Sequence, residues 1–294
     1  MITLYDSPCA LPIKASSPNT WKARFVLNYK RLPYKTEWVP YHDIASVYTK
    51  HGLSAVCKRF DSNGEEFYYC TLPVIYDSTT GKAIADSLQI AKYLDEQYPD
   101  TPRVFGASKA NVDEGEGVRD EGVDVDVVVD EAILNKAEEF TNLTMSLFTP
   151  VFPLLFKQAY KHIEPASRPF FSSARLKDLA PFYSGPGLSS LDELDISEEQ
   201  AVGAWKRLED NLFKGLDARV QPSGKGKGEG EERLVGWCRG GDKPTFEDFV
   251  LGGMLIFVRI AYGEESAEWK GVSKWNEGKW GAFLDKLAPY QTVQ

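Results

Sequence analysis

Short β-branched and aromatic runs alternate with helical periodicity over residues 1 to about 98, a pattern that predicts a compact α/β unit of order β-α-β-α-β-β-α. Residues 2–5 read as a first strand, Pro18–Tyr29 as a helix, 34–39 as a second strand and 43–50 as a weaker helix, with a glycine-containing loop at 61–66. Residues 71–77 and 82–86 read as strands around a Ser-Thr-Thr-Gly turn. Ser87–Gln97 closes the unit as a helix whose apolar positions are Leu88, Ala91 and Leu94.

The period changes after residue 98. Pro99 and Pro102 stop a helix and stiffen a linker, so domains are expected at 1–98 and 105–294, joined through 99–104. Residues 107–122 read as an acidic, solvated loop. Beyond it Val129, Ile133, Ala137, Phe140 and Leu147 recur at near-helical spacing and predict a long amphipathic helix. Residues 200–220 read as another helix. Residues 221–232, alternating glycine and lysine, read as a flexible insert, because the strand and spacing of a phosphate loop are missing. Thr245-Phe246-Glu247-Asp248 precedes a strongly apolar run, the pattern of a capping box opening a central helix of an all-helical domain.

Composition narrows the function classes. With 294 residues and 43% hydrophobic content the chain can build its core without staples. Cys9, Cys57, Cys70 and Cys238 are scattered, with no C-x-x-C pair, so neither a zinc ribbon nor a disulfide framework is indicated and no metal is expected. The N-terminus shows no secretory pattern, and a cytoplasmic location is expected. The longest apolar run, 249–258, ends at Arg259 and is too short to cross a bilayer, so no membrane association is expected. The net charge of −9, concentrated in residues 112–131, disfavours nucleic acid as a partner.

Three local features of the first unit carry candidate chemistry, and each also has a purely structural reading. Ser17 and Pro18 open the first helix, where serine is a natural N-cap and proline a natural first residue. A hydroxyl in that place, in the partial positive field of the helix, can also donate to an anion such as a thiolate, with Ser16 and Asn19 as alternative donors. Pro73 begins what otherwise reads as a strand. Either this is a sheet edge, or the bond before Pro73 is cis and turns the Leu72 backbone outward, where it can pair with a peptide ligand. Asp86 and Ser87 sit at a strand-to-helix junction. They cap the helix, or the Asp86 carboxylate binds an α-amino group while Ser87 and the helix amides hold an α-carboxylate, a pairing suited to a γ-glutamyl moiety.

Taken in this order, Ser17-Pro18, Leu72-Pro73-Val74, Asp86-Ser87 and the later Thr245-x-x-Asp248 resemble the glutathione transferase superfamily. Within it, the helix opening Ser17 to Arg24 and the Tyr69 to Asp77 stretch resemble the fungal etherase-related class called FuA, to which bacterial lignin β-etherases are similar. The resemblance implies an α/β + all-α architecture, with an N-terminal thioredoxin-like domain and a C-terminal all-helical domain. It implies a glutathione S-transferase acting in detoxification by conjugation or aryl β-ether cleavage, with glutathione as co-substrate, Ser17 as catalytic donor and Leu72, Pro73, Asp86 and Ser87 as glutathione-binding residues. It further implies hydrophobic aromatic small molecules as second substrates and a homodimer. Omega-type relatives carry a cysteine where Ser17 stands, so thiol-transfer chemistry is demoted here. Lys50 or Lys58 is a candidate for the glycine carboxylate, and Leu143, Leu147, Phe148 and Phe152 either line the electrophile pocket or pack in the core. A ligandin that sequesters aromatic or polyphenolic compounds with little turnover, and a scaffold that kept only the fold, are the competing readings.

Overall fold

The computed structural model describes residues 1–60, 65–105, 128–180, 187–220 and 235–294. The acidic segment 107–122, the whole 221–232 insert and residues 61–64 of the 61–66 loop lie outside the described residues.

The N-terminal half is built on a four-stranded mixed sheet of order β2-β1-β5-β6. Its elements are β1 (Ile2–Asp6), α1 (Pro18–Tyr29), β2 (Tyr34–Trp38), α2 (Ile44–His51), β3 (Cys57–Phe60), β4 (Glu66–Tyr69), β5 (Val74–Asp77), β6 (Lys82–Ala85) and α3 (Ser87–Gln97). β1 pairs in parallel with β2 (Ile2 opposite Tyr34) and antiparallel with β5 (Leu4 opposite Ile75), and β5 pairs antiparallel with β6. β1 is buried along its whole length, as its apolar run requires of a central strand. α1 and α3 match their expected limits, because proline and a capping aspartate or serine fix their starts.

The pair β3–β4, a separate two-stranded sheet, was not part of the expected order. At four residues each, its strands are too short for the alternation of β4, where Phe67 and Tyr69 are half-buried beside exposed Glu66 and Tyr68, to stand out as a period-2 signal. They are held instead from outside: the Lys177 ammonium lies 5.5 Å from the Phe67 ring centroid and 5.4 Å from that of Tyr69.

The C-terminal half is helical: α4 (Glu131–Phe148), α5 (Phe152–Tyr160), α6 (Arg168–Leu179), α7 (Glu198–Leu216), α8 (Phe246–Tyr262) and α9 (Ala267–Lys286), the last broken at Trp275 to Gly278. α8 is buried almost throughout. The Asp248 carboxylate accepts from the backbone N–H groups of Thr245 and Cys238, both at 2.7 Å, and from the Thr245 hydroxyl at 2.9 Å. α8 packs on α1 through Phe249, which stacks on Phe25 at 5.6 Å. A Cβ on Gly253 would come within 2.7 Å of the Pro18 carbonyl oxygen, so glycine is what lets α8 approach the first turn of α1.

Two buried ion pairs tie α1 to the sheet and to α3 within the α/β half. Arg24 on α1 donates to Asp6 at 2.8 Å and also reaches the hydroxyls of Tyr34 and Thr36. Lys30 pairs with Asp95 of α3 at 2.8 Å, and Asp95 also accepts from the N–H groups of Val104 (3.0 Å) and Phe105 (2.9 Å), tying the chain beyond α3 to the α/β half. At the other end the tail returns: Asn28 donates to the carbonyls of Tyr290 and Thr292, and Thr36 N–H to that of Gln294, which covers the open edge of β2.

Candidate functional site

The first turn of α1 points its free amides toward a cavity between the α/β half and helices α5, α6 and α8. The cavity has a volume of about 310 Å³. Ser17 is the N-cap; its Oγ accepts from Thr20 N–H at 3.4 Å, which leaves its own O–H proton free to donate. Ser17 lines the cavity together with Ser7, Ser16 and Asn19. Asn19 Oδ1 accepts from Lys22 Nζ at 2.9 Å. Burial lowers the Lys22 amine to about 8, against the opposing pull of the Asp86 carboxylate, so electrostatics couples α1 to the start of α3.

Leu72 also lines this cavity, and the Leu72–Pro73 peptide is cis. The preceding residue is clamped: Thr71 N–H donates to Tyr48 Oη at 3.1 Å and Tyr48 O–H donates to the Thr71 carbonyl at 2.7 Å. The Leu72 N–H and C=O have no hydrogen-bond partner among the described residues. A backbone donor and acceptor left open beside a cavity can pair with an extended peptide.

Asp86 lies at the edge of α3 with φ at +76°, a sparsely populated region for any residue but glycine. Its Oδ1 accepts from Leu88 and Gln89 N–H at 2.9 and 3.1 Å, while Oδ2 has no partner among the described residues. The carboxylate is exposed and Ser87 beside it is buried. Of the five residues singled out from sequence, then, Ser17 and Leu72 share the cavity wall. Pro73, Asp86 and Ser87 do not line it, although Asp86 faces the Lys22 that joins the two regions.

Other expectations are redirected. Lys50 is occupied by the Tyr5 hydroxyl at 3.2 Å and Glu37 at 3.6 Å, and Lys58 pairs with Glu66, so neither ammonium faces the cavity. Of the two readings of Leu143, Leu147, Phe148 and Phe152, the core one holds. Phe148 is wholly buried, Leu147 packs against Gly215 of α7, and Phe152 stacks on Phe156 at 5.2 Å. The aromatic wall comes from Phe156, one turn further on in α5, and from Phe170 and Phe171 of α6, with Tyr41 edge-on to Phe171 at 5.2 Å. Sequence periodicity marks all these positions as apolar and cannot say which face of a helix meets the other half of the molecule. The Cys9 thiol is pushed up by burial, which suits an inert core thiol. Among the described residues no group of three or more His, Cys, Asp or Glu could hold a metal, and no helix is long and apolar enough to cross a membrane.

A thioredoxin-like sheet whose cis-proline loop faces the start of α1, followed by a helical half centred on a capped, buried helix, defines the architecture of a two-domain glutathione-dependent protein. The comparisons agree: residues 16–97 match the family model of the glutathione S-transferase N-terminal domain and residues 137–290 that of the C-terminal domain, and the chain belongs to the glutathione S-transferase family. Its structure is similar to glutathione transferase GSTFuA3 from Phanerochaete chrysosporium (33% identity, 100% of this chain and 98% of that one, TM-score 0.73). It is likewise similar to a Ceriporiopsis subvermispora glutathione S-transferase solved in complex with glutathione (29% identity, 100% and 98%, TM-score 0.73). The glutathione S-transferase-like protein ustS of Aspergillus flavus is 26% identical over 283 residues, 90% of this chain and 87% of that protein.

Proposed function

We propose that this chain is a serine-type glutathione transferase that activates the glutathione thiol at Ser17 and delivers the thiolate to hydrophobic aromatic electrophiles in the adjoining cavity. The observation that carries this reading is that the Ser17 hydroxyl, at a helix start, and the unpaired Leu72 backbone line one cavity. The tripeptide lies along Leu72, its cysteinyl N–H and C=O pairing with the open backbone groups. The γ-glutamyl ammonium meets the free oxygen of Asp86, and its carboxylate meets Ser87 and the α3 amides. The complex of the Ceriporiopsis relative with glutathione supports a tripeptide site in this fold.

A free thiol near ~8.5 is only a few per cent ionised at neutral pH. Lowering it by about two units ionises most of it and corresponds to roughly 2.7 kcal/mol, within the reach of one hydroxyl donor and a helix N-terminus. The thiolate then attacks the electrophilic carbon. With an aryl ether the carbon–sulfur bond forms as the carbon–oxygen bond breaks, the electron pair leaves on the phenolate, and solvent protonates it. With an activated halide the same attack expels halide. The protein acts, on this reading, as a cytoplasmic homodimer.

Titration calorimetry with glutathione, followed by turnover assays with an aryl β-ether and phenethyl isothiocyanate, tests the proposal. Glutathione binding with turnover of either electrophile is expected. Binding of polyphenols without turnover of either would establish the ligandin reading instead, and absence of glutathione binding would overturn both.

A further inference from the structure

The helix α6 wall of the cavity carries polar groups that thiolate activation does not use. The Arg175 guanidinium lies 5.3 Å from the Phe156 ring centroid and 5.9 Å from that of Phe171, with one nitrogen 3.0 Å from Asp178 Oδ2. Its Nε–H is buried and has no hydrogen-bond partner among the described residues. Tyr69 of β4 lines the same cavity, and its hydroxyl is equally buried and unpartnered among the described residues. Native proteins rarely leave such donors unpaired, because each has given up water without a replacement.

We propose that Arg175 and Tyr69 form an acceptor-binding end of the second-substrate subsite, which takes an aromatic ligand bearing a carboxylate. The inference rests on the reading of this cavity as the electrophile subsite. An arginine Nε–H can only donate, and a tyrosine hydroxyl donates readily, so the missing partner is an acceptor able to serve two donors at once. A carboxylate does that and also matches the charge. Arg175 and Lys177 against Asp178 leave one net positive charge on this stretch of α6, with all three residues on the cavity wall. Tyr41, the other phenol on the wall, is held neutral by burial and adds no competing anion. The rings of Phe156, Phe171 and Tyr41 supply the apolar surface for the ligand's aromatic part, and a cavity of about 310 Å³ suits a single ring system with a short polar tail.

Cinnamate and cinnamamide have the same ring and nearly the same size and differ in charge, so titration calorimetry of both, with glutathione present, isolates the acceptor end. The wild-type chain is expected to bind cinnamate at least about tenfold more tightly than the amide, as for a charge-assisted, multiply bonded carboxylate. Arg175→Met is expected to abolish that preference and Tyr69→Phe to reduce it about fivefold, with cinnamate affinity falling more than cinnamamide affinity in each. No carboxylate preference in the wild type, or a preference retained in both variants, overturns the proposal. Should Arg175→Met fail to fold, as judged by circular dichroism, the wild-type pair and Tyr69→Phe, which removes one oxygen, still decide. A separate glutathione titration tells the two readings apart: normal glutathione binding without carboxylate preference removes this inference alone.

Discussion

Replacing Ser17 by alanine removes one oxygen that the structure gives two duties. As a cap it accepts a long hydrogen bond from Thr20 N–H, 3.4 Å, so the loss of stability belongs at the low end of the capping range, about 0.5 kcal/mol. As the proposed thiolate donor its loss is larger, because a hydrogen bond to a charged group contributes about 1.5–3 kcal/mol, or about one to two units in the pKa of bound glutathione. The sign is fixed: the donor favours the ionised thiol, so removing it raises that pKa and moves the rising limb of the pH–rate profile to higher pH. At neutral pH the thiolate fraction, and kcat with it, falls about tenfold, while glutathione affinity stays within a few-fold because Leu72 and Asp86 are untouched. Stopped-flow turnover across pH, together with the ultraviolet absorbance of bound thiolate, reads both quantities. A profile with an unmoved limb in Ser17→Ala would refute the assignment and transfer attention to Ser7, whose hydroxyl is buried, unpartnered among the described residues and on the same cavity wall.

Three further outcomes are expected. Asp86→Ala removes the partner proposed for the γ-glutamyl ammonium and is expected to weaken glutathione binding by about 1.5–3 kcal/mol in calorimetry, with a smaller loss of helix stability from the two amides it caps. Lys22 has its amine lowered by burial to about 8 from 10.5, so the folded chain releases that proton before the unfolded chain does. Its burial penalty, on the order of 3 kcal/mol, is therefore fully present below pH 8 and relieved as pH rises toward 10.5. In urea melts Lys22→Met should be more stable relative to wild type at neutral pH than at about pH 10. Asp95→Asn keeps an acceptor for Val104 and Phe105 but leaves the buried Lys30 ammonium without its counter-charge, and should cost about 3–5 kcal/mol, visible as a lowered Tm.

What the amino-acid order settled by itself is the set of elements whose signals are local. Pro18 after Ser17 fixes the start of α1, Asp86 and Ser87 fix the start of α3, and the Thr245 and Asp248 pair fixes the start of α8. In each, a few neighbouring residues satisfy the first free amides without help from the rest of the chain. The family was legible for the same reason, since its marks are capping and turn residues in a given order. Tertiary structure alone decided the β3–β4 pair, which is held by Lys177 from a distant helix, and the fate of the aromatic residues of α4 and α5. Phe148 and Phe156 are equally apolar, and only the packing of α5 against α6 and α8 sends one into the core and the other into the cavity. It also decided that the Tyr69 hydroxyl and the Arg175 Nε–H, ordinary groups in the sequence, are buried without partners among the described residues. Burying a donor without a partner is a property of the space around it, and that space is enclosed by residues as far apart in the chain as Ser7 and Phe257.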